Sequence, residues 1–228
     1  MNLLLGFLIV VIMTGAGNLV GTSTIAKFDN NAVSSSALKS GDVIKSIDGM
    51  RVYTATDVTT GLSRSPDDTI DFVVLRDGKQ KKVTAKFDME KYQGKNYIKM
   101  DFWLYGKKKT VSNVIAASAK EWVSYARMVF LSVHDLIVGR YGISDLSGPV
   151  GAVSVVSSAV KVGFTSVLRI MALLTINVGL FNLFPIPALD GWRLFLLLFE
   201  GIFRKKLPEK WEWAINAVGL AALLILMC

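Results

Sequence analysis

Asn182, Pro185, Pro187 and Asp190 fall together in the stretch NLFPIPALDGWR, Asn182 to Arg193. Their surroundings are apolar. No charged side chain occurs from Ile170 to Leu189, and apolar residues resume at Leu194. Proline lacks a backbone donor and pushes the residue before it out of helical geometry. Pro185 and Pro187 therefore end any helix that contains Asn182. Irregular backbone at membrane depth survives only where protein or a water-filled cavity covers it. Asp190 sits just ahead of a fresh apolar run, RLFLLLFEGIF. Three chemistries suit a carboxylate there: capping the first turn of that helix, carrying a proton, or ligating a metal.

The elements that must position these residues follow from the hydropathy pattern. A membrane-spanning helix needs about 20 mainly apolar residues against a hydrocarbon core of about 30 Å. Met1 to Leu19 nearly meets this, and the uncharged tail runs on to Ala26. No Lys or Arg precedes the apolar run, which argues for a retained helix and against a signal peptide. Ser166 to Phe184 and Trp211 to Cys228 are the other two candidates. Trp122 to Val138 contains Arg127, His134 and Asp135, and a charge at the bilayer centre costs about 2.5–3.5 kcal/mol on insertion scales. It reads as an amphipathic helix on the membrane surface, with a full span as the alternative. The short basic loop RKKLPEK, Arg204 to Lys210, is expected to stay cytoplasmic. That puts the polar domain outside, provided one span separates it from Asp190.

The polar domain has a different period. Between Gly21 and Lys86 apolar residues alternate with polar ones, and Asp48-Gly49 and Asp77-Gly78 interrupt the alternation. Asp-Gly between such runs signals a hairpin, because a type I′ turn needs positive φ at both central residues. ATDVTTGLS reads as a short helix capped by Thr56 or Asp57.

Composition limits the function classes. Of 228 residues, 52% are apolar and only 19% charged, with a formal charge of +8. The basic residues form no aromatic-interleaved stripe, which excludes nucleic acid as a partner; a lipid bilayer with anionic headgroups suits them better. The single cysteine, Cys228, permits no intrachain disulfide.

Two resemblances rest on these residues. SSALKSGDVIKSIDGMRV resembles the core of a PDZ domain over roughly Leu19 to Phe87, which implies a module that binds extended peptides by strand addition. Any small mixed β domain with hairpins is the plainer reading. GLFNLFPIPALDG closely resembles the N-x-x-P-x-P-x-L-D-G motif of the site-2 protease family, the intramembrane zinc metalloproteases. LSGPVG, Leu146 to Gly151, is similar to a segment upstream of that helix, and MNLLLGF to the continuation of the family's GP-x-MN motif. The four features occur in the family's order. The resemblance implies that Asp190 is a zinc ligand, with two histidines of an H-E-x-x-H helix as the others and that helix's glutamate as general base. It implies that Asn182 holds the substrate backbone, and that Pro185, Pro187 and Gly191 form the structural motif around both.

The expected architecture is a membrane protein of α-helical transmembrane segments with an inserted small mixed β/α, PDZ-like extracytoplasmic domain. Its boundaries are a transmembrane helix at 1–20, the PDZ-like domain and following strand region at 21–110, and an amphipathic membrane-associated region at 111–150. A transmembrane helix with the broken motif follows at 151–203, then the basic cytoplasmic loop and last transmembrane helix at 204–228. The expected localisation is the bacterial cell membrane, with several passes. The sequence holds no H-E-x-x-H, and its one histidine, His134, matches no family ligand. Trp192 stands where the family often has a second glycine, which would crowd the helix approach. The expectation is thus a truncated chain: a fragment, a split gene, or a start assigned too far downstream. Two functions follow. One is the C-terminal part of a zinc protease that cuts transmembrane segments of anti-sigma-factor-like regulators or remnant signal peptides. The other is a non-catalytic membrane module whose PDZ domain tethers a peptide.

Overall fold

The computed structural model of the chain describes residues 1–92, 95–139, 149–203 and 209–227. It divides into two compact units, Val10–Met128 and the combination of Met1–Ile9 with Val129–Cys228. Helix α1 spans Asn2–Ala16 and helix α3 spans Val111–Ile137, so the division falls within both.

The first unit is built on an antiparallel sheet. Its strands are β1 (Val20–Phe28), β2 (Val43–Ile47), β3 (Met50–Arg51), β4 (Thr69–Arg76), β5 (Lys79–Lys86) and β8 (Phe102–Lys107). The order is β5-β4-β2-β1-β8, with β3 paired to β2. Strands β6 (Met89–Tyr92) and β7 (Lys95–Ile98) form a separate hairpin. Alternation in β4 turns Ile70, Phe72 and Val74 inward, where they join Ile25, Leu38, Ile44, Ile47, Val58, Leu62, Phe87 and Phe102 in one core. Burying such side chains stabilises the unit by about 1.5–3 kcal/mol each. Both expected hairpin turns form: Asp48 and Gly49 have φ of 44° and 78°, Asp77 and Gly78 of 52° and 76°. Strand β5 lies at a sheet edge and carries Lys79, Lys81, Lys82 and Lys86.

Helix α2 (Ala55–Arg64) is capped two residues or more before the position that the sequence reading gave. Its N-cap is Thr54, not Thr56 or Asp57. Thr54 is extended and its hydroxyl accepts from the Asp57 amide at 3.2 Å, while the Asp57 carboxylate accepts from the Thr54 amide at 3.1 Å. This reciprocal box satisfies two donors that the first turn leaves free.

Helix α3 likewise starts at Val111 rather than Trp122, because Thr110 and Asn113 cap it in the same reciprocal way, at 2.8 and 3.3 Å. Its charges have partners in the β unit. Arg127 forms an ion pair with the buried Asp57, donates to the Arg51 carbonyl at 2.7 Å, and sits over the Tyr53 ring. Glu121 accepts from Thr56, and Ser124 from Thr54 at 3.2 Å. Arg127 thus ties the helix to the polar domain, which accounts for a cation in an otherwise apolar run.

The second unit is helical: α4 (Pro149–Val162), α5 (Phe164–Phe181), α6 (Asp190–Phe203) and α7 (Glu209–Met227), with the first residues of α1. Gly163, with φ of 134°, separates α4 from α5. Among the described residues, α5 is the one helix long and apolar enough to cross a membrane unaided; its 18 residues span about 27 Å. α1 is apolar but shorter. Its Gly6 lies against Ile176 and its Leu3 against Gly179, where an added Cβ would come within 2.6 and 2.7 Å of the facing side chain. Small residues allow such close helix approach in a membrane. Of the segment LSGPVG, Leu146 to Gly148 lie outside the described residues and Pro149 opens α4. The core of the basic loop, 204–208, and Cys228 also lie outside them.

Candidate functional site

The motif forms a turn between α5 and α6. Helix α5 ends at Phe181 with Asn182 as its C-cap, the residue after which the prolines forbid further helix. The chain then makes short local bonds. The amides of Leu183, Phe184 and Ile186 donate to the carbonyls of Leu180, Phe181 and Phe184 at 2.9, 3.0 and 2.7 Å. Pro185 and Pro187 have no N–H to satisfy. Ala188 takes the left-handed conformation, φ 75°, which costs a residue with a Cβ about 1–2 kcal/mol. Its amide donates across to the Asn216 Oδ1 of α7 at 3.1 Å.

The turn closes where Gly191 donates to the Asn182 carbonyl at 2.6 Å. A Cβ on Gly191 would fall 2.4 Å from the Leu183 carbonyl carbon and oxygen and from the Phe184 oxygen, so only glycine fits. The structure thereby brings Asn182 and Asp190 together at the crossing of α5 and α6, with the two prolines in the loop between them. The tight position is Gly191, and the Trp192 ring stacks on Phe195 of its own helix at 5.6 Å.

Asp190 opens α6, in the first turn, where the helix dipole favours an anion. Its side chain is exposed and, among the described residues, takes part in no hydrogen bond or ion pair. The capping alternative therefore has no bond to support it. The Asn182 carboxamide, half-buried, is equally uncommitted among the described residues.

Sequence reasoning missed Ala188, Asn216 and Gly219. Gly219 lies against Pro187, where an added Cβ would come within 2.5 Å of the proline Cβ and 2.6 Å of its carbonyl oxygen. The signal was present: one asparagine, with a glycine three residues on, inside the apolar helix WEWAINAVGLAALLILM.

The sequence model of Peptidase family M50 matches residues 1–226, and the chain belongs to that family. Its members are membrane proteins. The regulator of sigma-W protease RasP of Bacillus subtilis is 31% identical over 199 residues, which cover 87% of this chain and 47% of that protein. The zinc metalloprotease RasP of Shouchella clausii is 29% identical over 235 residues, 100% of this chain and 54% of that protein. The chain thus spans about half the length of the curated relatives it matches. A solved PDZ domain, from the SdrC-like protein of Listeria monocytogenes, is similar over 43% of this chain and 94% of its own, with 16% identity and a TM-score of 0.28.

Zinc, which the name of the second relative carries, can be tested against the donors present. Asp190 offers one uncommitted carboxylate, a normal zinc ligand. No group of three His, Cys, Asp or Glu occurs among the described residues. His134 is on α3 with its Nδ1 3.6 Å from Asp135 Oδ1. Among the described residues the Asp190 carboxylate suits zinc as one ligand, and no three donors close a site.

Proposed function

We propose that this chain is the Asp190-bearing, C-terminal part of an intramembrane zinc metalloprotease. Its substrates are transmembrane segments of anti-sigma-factor-like regulators, or remnant signal peptides. The observation that carries this reading is the Asp190 carboxylate, uncommitted among the described residues and held at a closed, glycine-dependent turn in a chain of family M50. The remaining ligands and the general base come from an H-E-x-x-H helix, which these 228 residues do not contain. A zinc ion with three protein ligands supplies a bound water acidic enough to attack an amide at neutral pH.

This chain's own residues act around that centre. Asp190 supplies an oxygen ligand; Pro185 and Pro187 keep the loop before it out of helix, and Gly191 lets the start of α6 pack against that loop so that the carboxylate faces the site. Asn182, beside it, donates and accepts hydrogen bonds to the backbone of an unwound substrate segment. The sheet domain takes the outer side of a bacterial cell membrane and tethers an extended peptide, α5 spans the bilayer with α1 and α7, and α3 lies at the membrane surface. The basic loop at 204–210 faces the cytoplasm.

The second reading is a non-catalytic peptide-tethering module. One experiment separates the two. In the protease that joins this chain to its H-E-x-x-H helix, zinc content and cleavage of a model transmembrane substrate are measured in detergent. Asp190→Asn, which caps a helix as well as Asp, is expected to lose both while staying in the membrane. Full zinc and full cleavage in that variant would overturn the ligand assignment.

A further inference from the structure

Asp190 owes its place to a turn whose backbone is held from another helix. Of the amides between Leu183 and Trp192 with a described bond, those of Leu183, Phe184, Ile186, Leu189, Gly191 and Trp192 donate to carbonyls within the α5–α6 segment itself. Ala188 is different. Its amide reaches outside, to Asn216 Oδ1 of α7. Ala188 is also the one residue of the turn with a positive φ. The strained position and the borrowed acceptor thus coincide, two residues before Asp190.

The face of α7 is shaped for this contact. Asn216 and Gly219 are three residues apart and so share a side of the helix. Gly219 has no side chain where Pro187 packs, so the α7 backbone comes close enough for Asn216 to reach the next residue, Ala188. A carboxamide is a suitable acceptor on an apolar helix: it takes an amide hydrogen bond without placing a charge there.

We infer that Asn216 is a positioning residue for Asp190: by accepting the Ala188 amide it fixes the left-handed turn that aims the carboxylate. The metal half of this inference rests on the zinc-protease reading above; the hydrogen bond does not. Asn216→Leu keeps the shape and removes the acceptor, and Asn216→Asp restores an acceptor. In this chain, held in lipid nanodiscs, amide exchange at Ala188 should rise about tenfold in Asn216→Leu and stay near the parent in Asn216→Asp. In the protease that carries the H-E-x-x-H helix, Asn216→Leu should weaken zinc by about 10- to 100-fold, as loss of a ligand-orienting contact does. It should also lower kcat while leaving KM unchanged.

A rescue separates positioning from general damage. Glycine adopts positive φ without strain, so Ala188→Gly added to Asn216→Leu should recover part of the lost zinc affinity; a misfolded variant would recover none. Unchanged Ala188 exchange in Asn216→Leu overturns the inference. So does raised exchange with zinc affinity and kcat intact. If Asp190→Asn keeps its zinc, it is the zinc-protease reading that fails, while the exchange result still decides the bond.

Discussion

Asp42 and Asp57 in the β unit and Asp190 in the helical unit are carboxylates in opposite circumstances. Asp42 is fully buried and fully engaged: Arg76 reaches both its oxygens, at 2.7 and 2.6 Å, and the Lys39 amide donates to it at 2.9 Å. Asp57, 2% exposed, accepts from the amides of Tyr53 and Thr54 while pairing with Arg127. Asp190 is exposed and, among the described residues, has none of this. What it has is a costly mount. A left-handed alanine, two prolines and a glycine on which no Cβ fits all serve the turn that carries it. In the β unit carboxylates hold the fold; at the turn the fold holds a carboxylate. Strain of this kind gathers at functional sites, which is why the ligand role is proposed for Asp190.

That contrast can be broken at three points. Asp57→Ala should have the largest effect on stability, about 3–5 kcal/mol, because Arg127 is left without its anion and α2 loses half its capping box. Chemical denaturation of the β unit, followed by tryptophan fluorescence, measures it, and a loss under 1 kcal/mol would remove Asp57 from the structural class. Asp42→Asn should cost about 2 kcal/mol, the worth of charge-assisted bonds given up at a buried site.

Asp42 also predicts a pH dependence. Burial pushes its carboxyl up, but the Arg76 hydrogen bond, the Lys39 amide and the nearby positive charges outweigh that and hold it below the ordinary 3.8. Protons therefore bind the unfolded chain more readily than the folded one. The stabilisation is fully present above the unfolded value and disappears as pH falls through the lowered one. Denaturation midpoints taken from pH 7 down to pH 2 should fall more steeply in the parent than in Asp42→Asn. The smallest effect belongs to Asp190→Asn, within about 0.5 kcal/mol of the parent in any unfolding measurement. A large loss there would mean that Asp190 is engaged after all and would erase the difference.

The legible parts of the sequence were those governed by short-range chemistry. Both Asp-Gly turns stand where two positive φ values are required, and the prolines stop α5 within a residue or two of where their geometry demands. That Asn182 and Asp190 share one site was implied by the family resemblance alone, not by a local rule. Contacts between distant segments were not legible. Arg127 reads from sequence as a misplaced charge in an apolar run, and its partner Asp57 lies 70 positions away. Asn216 reads as a stray polar residue until Ala188 is beside it. Periodicity also gave late starts for α2 and α3, because the capping pairs that open them precede the first residues whose pattern is recognisable.

The lysines of β5 have a consequence for traffic around the sheet. A sheet has two ends at which a foreign extended segment can be accepted, and here they greet a visitor differently. At β5 it meets four ammonium groups on one short strand; at β8 it meets the exposed rings of Trp103 and Tyr105. Charged edges deter the pairing of like sheets, so two copies of this domain repel each other along β5. Approach to the sheet acquires a direction, and crowding in the plane of a membrane does not turn neighbouring copies into a continuous ribbon.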